Sequence, residues 1–288
     1  MKVLVTGSRG MLGTDLMQML PARYDVLGCD LHNCNVLDSD QFEQIISSYA
    51  PDVIIHAAAY TNVDQAETDQ EAASLLNEIG TKYVATAARQ AQARLIYIST
   101  DYIFDGTKTT PYTEKDRPNP LGVYGKTKLR GEQQVQQIFH DLTDRYAIVR
   151  IAWLYGKHGK NFVSTILQQA RQKPVLRVVN DQTGSPTYTR DVVKGLMALL
   201  DHAVSGIVHL TNSGTCTWYE FARAILELAQ MPHITVQPIS TAELQRPAPR
   251  PRFSVLDMSR FIALTGQQMP HWKQGLQEYF EEILRNEE

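Results

Sequence analysis

The chain has 288 residues, of which 43% are hydrophobic and 20% are charged, and its formal net charge is −3. This composition is typical of a globular protein that buries a sizeable core, either in one large domain or in a domain with a smaller lobe. The slightly acidic balance excludes the strongly basic surface that nucleic acid or an anionic membrane would need, so neither is expected as a partner.

The sequence contains no apolar run long enough to span a bilayer, and its N-terminus lacks the long apolar region and the cleavage site of a signal peptide. We therefore expect a cytoplasmic protein. Its cysteines, Cys29, Cys34 and Cys216, form an odd number without a CxxC pair, and we expect thiols rather than a disulfide framework or a metal site. The eight histidines are scattered, with no HExxH pattern, and no metal-binding residue is predicted.

Short apolar segments alternate with amphipathic ones through the first half of the chain. Strands are predicted at 2–6, 24–30, 52–58, 94–99 and 146–152, and helices near 11–20, 39–49, 70–92 and 122–140. The strand segments are apolar on both faces, as expected for a parallel sheet that is covered by helices and joined by right-handed crossovers. The predicted fold class is therefore α/β, with a Rossmann-like, doubly wound parallel sheet.

After about residue 152 this alternation becomes irregular, which favours a smaller C-terminal lobe. The segment 245–254 contains three prolines, which exclude a regular helix. Amphipathic helices are predicted at 217–229 and 272–288. We predict an N-terminal domain over 1–152, to which segments near 176–210 return, and a lobe formed mainly by 153–288.

Three glycines, Gly7, Gly10 and Gly13, lie directly between the first predicted strand and the first predicted helix. Glycines there permit a tight turn, a close approach of the backbone to a pyrophosphate, and close packing of the helix on the strand. The helix N-terminus adds free N–H groups and a partial positive charge. We predict a dinucleotide site on this loop. Asp30 ends the second strand, where it would bind the ribose hydroxyls of NAD, whereas Arg9 could meet the 2′-phosphate of NADP, so the choice of cofactor stays open.

The fourth predicted strand ends at Ser99 and Thr100, on the sheet edge that faces the ligand crevice in open α/β folds. Tyr124 and Lys128 lie four residues apart on a predicted helix and share one of its faces. Reduction of a ketone needs a hydride and a proton, and a nearby ammonium lowers the tyrosine pKa from about 10. We predict Tyr124 as the proton donor, Lys128 as the group that lowers its pKa and holds the nicotinamide ribose, and Thr100 as the residue that orients the carbonyl.

Several segments together resemble the dTDP-4-dehydrorhamnose reductase family, a branch of the extended short-chain dehydrogenase/reductases. They are TGSRGMLG, HAAAYTNVDQAE, STDYIFDG, YGKTKLRGE, VRIAWLYG, NFV, DQTGSPTYTRDV and RPRFSVLD. The resemblance covers nearly the whole chain. It implies reduction of the C4 keto group of dTDP-4-dehydro-L-rhamnose by NADPH or NADH, to give dTDP-L-rhamnose for polysaccharide synthesis. It also implies that 1–152 binds NAD(P) and that 153–288 mainly binds the sugar nucleotide.

Site residues follow from the motifs and the resemblance together. The predicted cofactor residues are Gly7, Arg9, Gly10, Met11, Leu12, Gly13, Asp30, Asn35, Val36, Ala57, Ala58, Ala59, Tyr60, Ser99, Tyr124 and Lys128. The predicted catalytic residues are Thr100, Tyr124 and Lys128, and the predicted substrate residues are Thr100, Tyr102, Trp153 and Asn161. Asn35 stands where the family often has an aspartate that contacts adenine. Trp153 could instead be plain core, and Arg150 could anchor the two lobes by pairing with a carboxylate.

Other functions are compatible with the same fold. Sugar-nucleotide dehydratases resemble one another in a Thr-Asp-Glu run, but here Thr100 and Asp101 are followed by Tyr102. Epimerases retain one NAD through each cycle, so co-purifying NAD would favour them. A regulatory subunit of methionine adenosyltransferase resembles the family without catalysing its reaction, but the complete triad here argues against that function. A reductase of another 4-keto sugar nucleotide, for example in spore-coat polysaccharide synthesis, is a further alternative. A requirement for Mg²⁺, and the choice between a monomer and a homodimer, stay open.

Overall fold

The computed structural model describes residues 1–284. Its strands are β1 (Lys2–Thr6), β2 (Asp25–Cys29), β3 (Val53–His56), β4 (Arg94–Thr100), β5 (Tyr146–Ile151), β6 (Leu154–Tyr155), β7 (Val175–Val179), β8 (Thr183–Gly184), β9 (Thr187–Tyr188), β10 (Gly206–His209), β11 (Cys216–Thr217) and β12 (Thr235–Ile239). Its α-helices are α1 (Met11–Met19), α2 (Ser39–Tyr49), α3 (Val63–Ala66), α4 (Gln70–Ser74), α5 (Thr81–Gln90), α6 (Val123–Ile138), α7 (Phe162–Ala170), α8 (Thr189–Asp201), α9 (Trp218–Leu228), α10 (Thr241–Leu244), α11 (Ser259–Thr265) and α12 (Trp272–Leu284).

A six-stranded sheet forms the centre of the molecule, in the order β10-β5-β4-β3-β1-β2. Every neighbouring pair in it is parallel, which confirms the predicted fold class. The strand order reverses between β1 and β3, because β2 lies on one side of β1 while the later strands are added on the other. Such a switch point leaves a crevice at the carboxyl ends of its strands, where ligands bind in open α/β sheets.

Apolar layers cover both faces of this sheet. On one face, α1 and α8 pack against β1, β3, β4 and β5 through side chains such as Leu16 and Leu196. On the other face, α2, α5 and α6 contribute Phe42, Val84 and Val135. Burial on both faces explains why the strands are apolar without alternation.

The predicted helix over 70–92 is interrupted by a π-helical segment, Leu75–Gly80, between α4 and α5. Within this segment the buried Asn77 uses its side chain to bind the backbone of Tyr60, accepting from the N–H at 2.8 Å and donating to the carbonyl at 3.1 Å. A π-segment offsets the helical register locally. The sequence pattern of apolar residues does not indicate it.

The C-terminal part of the chain has its own apolar cluster, which includes Tyr155, Phe221, Trp272 and Leu276. Short strand pairs lie around it: β12 with β7, β11 with β8, and β6 with β9. In contrast, α8 packs on the central sheet and β10 extends it. The boundary of the two domains after residue 152 stays a prediction.

The expectation of free thiols is wrong for Cys29 and Cys34, which form a disulfide. The chain folds back after β2, where the Asn33 side chain donates to the carbonyl of Gly28. This turn brings the Cα atoms of the two cysteines to 5.1 Å, within the range that a disulfide can bridge. Cys216 is a buried free thiol, as predicted.

Within residues 1–284, no helix has both the length and the apolar character needed to cross a membrane. The same part of the chain contains no group of three or more histidine, cysteine, aspartate or glutamate side chains arranged to hold a metal ion.

Candidate active site

A cleft of about 720 Å³ opens at the carboxyl ends of the central strands and is bounded on its other side by residues 153–161 and Trp218. Most of the predicted site residues line it. They are Gly7, Arg9, Gly10, Met11, Leu12, Gly13, Asp30, Val36, Ala57, Ala58, Ala59, Ser99, Thr100, Tyr102, Tyr124, Lys128, Trp153 and Asn161. The structure therefore brings these residues to one site, while their individual roles stay predictions.

Two predicted cofactor residues, Asn35 and Tyr60, are not in the lining of the cleft. The side-chain oxygen of Asn35 accepts a hydrogen bond from the N–H of Leu37 at 3.0 Å and so shapes its own loop. The hydroxyl of Tyr60 is directed to Asp69, at 3.4 Å. Local hydrogen bonds thus occupy both side chains, and the adjacent Val36 is the residue that reaches the cleft.

The glycine loop has no space for side chains at two positions. Gly7 has a φ of 66°, and a Cβ placed there would lie 2.7 Å from the backbone of Ala58. A Cβ on Gly13 would lie 2.0 Å from the carbonyl oxygen of Gly7. The helix α1 begins immediately after Gly10, which provides no side-chain cap. Its first N–H groups therefore stay available to an anion, and the loop fits a dinucleotide pyrophosphate.

Asp30 lies beside this loop and is held there by backbone N–H groups. One carboxylate oxygen accepts from Arg9 at 3.0 Å and the other from Leu31 at 2.8 Å. Because the carboxylate is fixed next to the loop, it is placed to accept hydrogen bonds from ribose hydroxyls. The exposed side chain of Arg9 lies at the same end of the cleft and offers a positive charge.

The three predicted catalytic residues meet at the end of β4. Thr100 is its last residue and is buried, with 5% of its surface exposed. Tyr124 and Lys128 project from the first turns of α6 into the same cleft. Lys128 donates a hydrogen bond from Nζ to the carbonyl of Ile98 at 2.7 Å, and its ammonium lies 4.1 Å from the centre of the Tyr97 ring.

The predicted lowering of the Tyr124 pKa is wrong for this structure. Burial raises the pKa of Tyr124 above its ordinary value, and the neighbouring Thr100 hydroxyl only partly opposes that rise. The Lys128 ammonium is directed to the Ile98 carbonyl, and burial lowers the pKa of Lys128 to about 7. Tyr124 is therefore protonated at neutral pH, but its raised pKa makes it a weak acid, so proton transfer requires stabilisation of the phenolate during the reaction.

Asp101 was not among the predicted site residues, but it lies in the lining of the cleft beside Thr100. It is buried, with 1% of its surface exposed, and accepts a hydrogen bond from the Thr100 hydroxyl at 3.1 Å. Burial raises the pKa of Asp101 to about 6, against the opposing effect of Ser254 and Thr100. The buried position of this carboxyl, next to a hydroxyl that faces the cleft, could not be read from the run Thr-Asp-Tyr.

The far wall of the cleft is aromatic. Trp153 and Trp218 stack with ring centres 3.4 Å apart and an angle of 4° between their planes. Trp153 has a φ of 46°, which is strained for a side chain of this size. It lines the cleft and is only partly buried, so it is not plain core.

Trp218 was missed as a site residue because it begins an amphipathic helix whose apolar positions read as core. The N-cap Thr217 starts α9, and the Trp218 ring nitrogen donates to Gln182 at 3.1 Å. The position of Trp218 could have indicated its role. It is the first residue of α9, and a side chain at a helix end can contact groups beyond the helix instead of packing on its apolar face.

The proline-rich segment 245–254 lies against α3, in the N-terminal half of the chain. Arg250 pairs with Asp64 of α3 at 3.0 Å and also lies close enough to Tyr102 to oppose the rise in its pKa that burial causes. Tyr102 in turn contacts Tyr124 edge-on, with ring centres 5.6 Å apart. Arg250 therefore supports one side of the predicted substrate site.

The chain matches the family model described as the RmlD substrate binding domain over residues 1–285. It belongs to this family. The spore coat polysaccharide biosynthesis protein SpsK of Bacillus subtilis is 41% identical, over 98% of this chain and 97% of the relative. A dTDP-4-dehydrorhamnose reductase from Aggregatibacter actinomycetemcomitans is 37% identical, over 96% and 97%.

Solved structures agree with this family assignment. The dTDP-4-dehydrorhamnose reductase of Bacillus anthracis, crystallised in complex with NADP, is 40% identical and superposes with a TM-score of 0.92, covering 98% of this chain and 99% of its own. A UDP-glucose 4-epimerase from Thermotoga maritima superposes with a TM-score of 0.84 at 19% identity and covers all of both chains. That second likeness shows the fold alone.

Proposed function

We propose that this protein reduces the C4 keto group of dTDP-4-dehydro-L-rhamnose with NADPH, to give dTDP-L-rhamnose. The observation that carries the proposal is the meeting of Thr100, Tyr124 and Lys128 with the glycine loop in one cleft. Relatives named as dTDP-4-dehydrorhamnose reductases, and the NADP complex of one of them, support this substrate and this cofactor. We also propose that the enzyme works in the cytoplasm, because NADPH and nucleotide sugars are available there.

The cofactor fits the residues that are present. The loop of Gly7 to Gly13 would hold the pyrophosphate, because side chains are excluded there and α1 presents free N–H groups. Asp30 and Arg9 would contact the adenosine ribose. When bound, the reduced nicotinamide supplies a hydride to the carbonyl carbon of the substrate.

The remaining chemistry falls to side chains of the cleft. The Thr100 hydroxyl would turn its proton from Asp101 to the substrate carbonyl, and so orient that carbonyl and stabilise negative charge on its oxygen. Tyr124 then gives its phenolic proton to that oxygen, which completes the alcohol and leaves a phenolate. Lys128, one turn further along α6, would stabilise this phenolate when its own amine is charged. Solvent must finally return a proton to Tyr124.

The sugar nucleotide is proposed to enter between the domains, against Tyr102 and the Trp153–Trp218 stack. Asn161 shapes the same wall, because its side chain donates to the carbonyl of Gly156 at 2.7 Å and accepts from the N–H of Ser164 at the start of α7. Aromatic faces of this kind suit the base and the sugar ring of a nucleotide sugar.

The experiment is a substrate comparison with purified protein, in which the loss of NADPH absorbance is followed. One reaction contains dTDP-4-dehydro-L-rhamnose and the other contains dTDP-4-keto-6-deoxy-D-glucose, because a Streptomyces niveus relative, 36% identical, is named as a reductase of the latter. Faster turnover of the rhamnose precursor supports the proposal. Faster turnover of the glucose derivative would show that the proposed substrate is wrong but that the proposed reduction of a 4-keto sugar is right. If neither sugar nucleotide causes oxidation of NADPH, both the proposed substrate and the proposed reaction are contradicted.

A further inference from the structure

The stack of Trp153 on Trp218 is an arrangement that two indole rings do not favour by themselves. Aromatic pairs prefer an offset or an edge-on contact to full face-to-face overlap, because the faces of both rings carry negative partial charge. Here the ring centres are 3.4 Å apart and the planes are within 4° of parallel. Carbon atoms pack best at separations of about 3.5–4.0 Å, so rings at this distance overlap almost fully. Other contacts must therefore hold the two rings in place.

A short ribbon of two strands supplies those contacts. The strands β8 and β11 are antiparallel, and Gly184 lies opposite Cys216. The same register, extended by two residues, places Gln182 opposite Trp218. Because Gln182 and Gly184 are two residues apart in an extended segment, they lie on the same face of it. One face of the ribbon therefore meets both rings of the stack.

Gly184 makes room for the ring of Trp153. A Cβ on Gly184 would collide with Nε1, Cε2 and Cζ2 of that indole, so the ring packs against the strand only because the residue is glycine. Trp153 follows β5, and its carbonyl accepts from the N–H of Thr187 at 3.1 Å. The residue therefore joins the end of the central sheet to the later part of the chain. Arg150 does not make such a connection, because its carboxylate partner is Glu132 of α6.

Gln182 holds the ring of Trp218 at the end of a chain of hydrogen bonds. The indole nitrogen of Trp218 donates to the side-chain oxygen of Gln182 at 3.1 Å. The side-chain nitrogen of Gln182 donates to the Thr241 hydroxyl at 2.8 Å, and that hydroxyl donates to the Asp181 carboxylate at 2.6 Å. An indole N–H can only donate and a carboxylate can only accept. Each hydrogen bond in the chain therefore has one possible direction, and the Gln182 oxygen always faces Trp218.

The burial of Gln182 makes this chain costly to break. Only 3% of Gln182 is exposed, and a buried polar group that loses its partner costs more free energy than an ordinary hydrogen bond contributes. If the Trp218 ring turned out of the stack, the buried oxygen of Gln182 would be left without this donor. The chain therefore fixes the plane of the Trp218 ring.

We propose that Gln182 is a positioning residue for substrate binding: it holds Trp218 flat against Trp153, so that the two rings form one rigid surface for the sugar nucleotide. Because the rings are fixed before the substrate arrives, binding does not cost the entropy of ordering them. Without the Gln182 oxygen, the Trp218 ring turns towards the offset or edge-on contact that aromatic pairs favour. The kinetic part of this inference rests on the proposed reductase function.

The first test is a double-mutant cycle with Gln182→Leu and Trp218→Phe. Leucine is close to glutamine in size but cannot accept a hydrogen bond. In Q182L the KM for dTDP-4-dehydro-L-rhamnose at saturating NADPH should rise about fivefold, with kcat within about twofold of wild type. In the W218F background Q182L should change KM by less than about 1.5-fold, because phenylalanine has no N–H to hold. An unchanged KM in Q182L, or an equal rise in both backgrounds, would overturn the proposal.

Ser185→Ala is the matched control. Ser185 lies in the same segment, has 2% of its surface exposed and donates its hydroxyl to the carbonyl of Gly214 at 2.9 Å, outside the chain that reaches Trp218. S185A should lower the free energy of unfolding but leave KM within about 1.5-fold of wild type. A rise in KM equal to that in Q182L would show general support of the lobe and overturn the proposal.

If Q182L does not fold, Gln182→Met takes its place in the cycle. Methionine has a similar length, and its sulfur is only a weak acceptor. The KM for the sugar nucleotide should again rise in the wild-type background and not in the W218F background. An unchanged KM in Q182M would overturn the proposal.

A second readout needs neither substrate nor NADPH. The chain has three tryptophans, and in protein with ¹³C-labelled tryptophan rings the Trp218 signals are assigned by their loss in W218F. Stacking on Trp153 shifts the Trp218 ring-proton signals through ring currents, and W153F measures that shift. In Q182L most of the shift should disappear, whereas S185A should keep it.

The outcomes of this NMR experiment separate the proposal from the proposed function. Trp218 signals that stay in place in Q182L would contradict the role of Gln182 even in an active reductase. A wild-type protein that oxidises no NADPH would contradict the reductase function, and the ring-proton shifts would still decide whether Gln182 holds the stack.

Discussion

The two walls of the cleft are built from the chain in different ways. The cofactor wall is local: Gly7 to Gly13 form one continuous segment that runs from the end of β1 into the first turn of α1, and the loops that follow β2 and β3 lie beside it. The substrate wall is assembled from distant segments, with Trp153 after β5, Trp218 at the start of α9 and Arg250 in the proline-rich segment. On the cofactor wall, the geometry of the backbone determines which residue types fit. On the substrate wall, packing between distant segments determines which residues come together.

The largest expected effect is a loss of kcat on substitution of Tyr124, which lies where the two walls meet. Tyr124→Phe removes the phenolic proton while keeping the ring, so kcat should fall by about 10² to 10⁴-fold. NADPH binding, followed by fluorescence titration, should stay close to wild type because the glycine loop is untouched. Wild-type turnover in Tyr124→Phe would exclude Tyr124 as the proton donor.

The next prediction tests whether the cofactor wall depends on backbone contact. Gly13→Ala would place a methyl group 2.0 Å from the Gly7 carbonyl oxygen, so the loop must move. We expect NADPH affinity to fall by about 100-fold or more and the protein to lose about 1–3 kcal/mol of stability. Calorimetric titration and urea unfolding measure the two effects.

Gly266→Ala is the control, because Gly266 ends α11 outside the lining of the cleft, with a φ of 68° and no atom within 4 Å of the added methyl group. It should lower stability through backbone strain, while its NADPH affinity stays within about twofold of wild type. If NADPH affinity in Gly13→Ala changes no more than in Gly266→Ala, the loop is not a close-contact cradle.

A substitution on the substrate wall should have a smaller effect. It should change the binding of the sugar nucleotide without changing the binding of NADPH. Trp218→Ala removes the ring that stacks on Trp153, and a stacked aromatic contact contributes about 0.5–1.5 kcal/mol beyond its buried area. The KM for the sugar nucleotide should therefore rise about tenfold, while NADPH affinity is unchanged. Steady-state kinetics at saturating NADPH give the first value.

Tyr219→Ala changes the next residue of α9, which is outside the lining of the cleft, and should leave this KM close to wild type. An equal rise in both variants would mean that α9 supports the lobe in general rather than the substrate. A fall in NADPH affinity in Trp218→Ala would erase the distinction between the two walls.

The smallest predicted effect is a change in the preference for NADPH over NADH, and it tests the role of Asp30 in the cofactor wall. Asp30 presents a fixed carboxylate where a ribose 2′-phosphate would add negative charge, so Asp30→Ala should increase the preference for NADPH over NADH by about tenfold. The measurement is the ratio of kcat/KM for the two cofactors. Asp40→Ala, an exposed acidic residue in the first turn of α2, is the control and should leave the ratio unchanged. An unchanged ratio in Asp30→Ala would remove Asp30 from cofactor selection.

The difference between the walls also explains what the sequence could predict. The strands, the glycine loop and the pair Tyr124–Lys128 follow from local rules: apolar runs, backbone space and helical spacing. The stack of Trp153 on Trp218 depends on contacts between residues 65 positions apart, and nothing in either segment indicates the other.

Other features were hidden because they depend on burial, which the sequence does not give directly. The rise in the pKa of Tyr124, the role of Asn77 in the π-helical segment and the burial of Asp101 are of this kind. The Cys29–Cys34 disulfide was missed for another reason: it depends on the turn after β2, which the spacing of the two cysteines does not reveal.

The most direct test of the account follows the hydride itself. NADPH that carries deuterium at both C4 positions of the nicotinamide is incubated with the protein and dTDP-4-dehydro-L-rhamnose, and the product is analysed by NMR and mass spectrometry. We predict one deuterium at C4 of the sugar for each NADPH oxidised. An unlabelled product, or a product labelled at another carbon, would contradict direct reduction of the C4 keto group in this cleft.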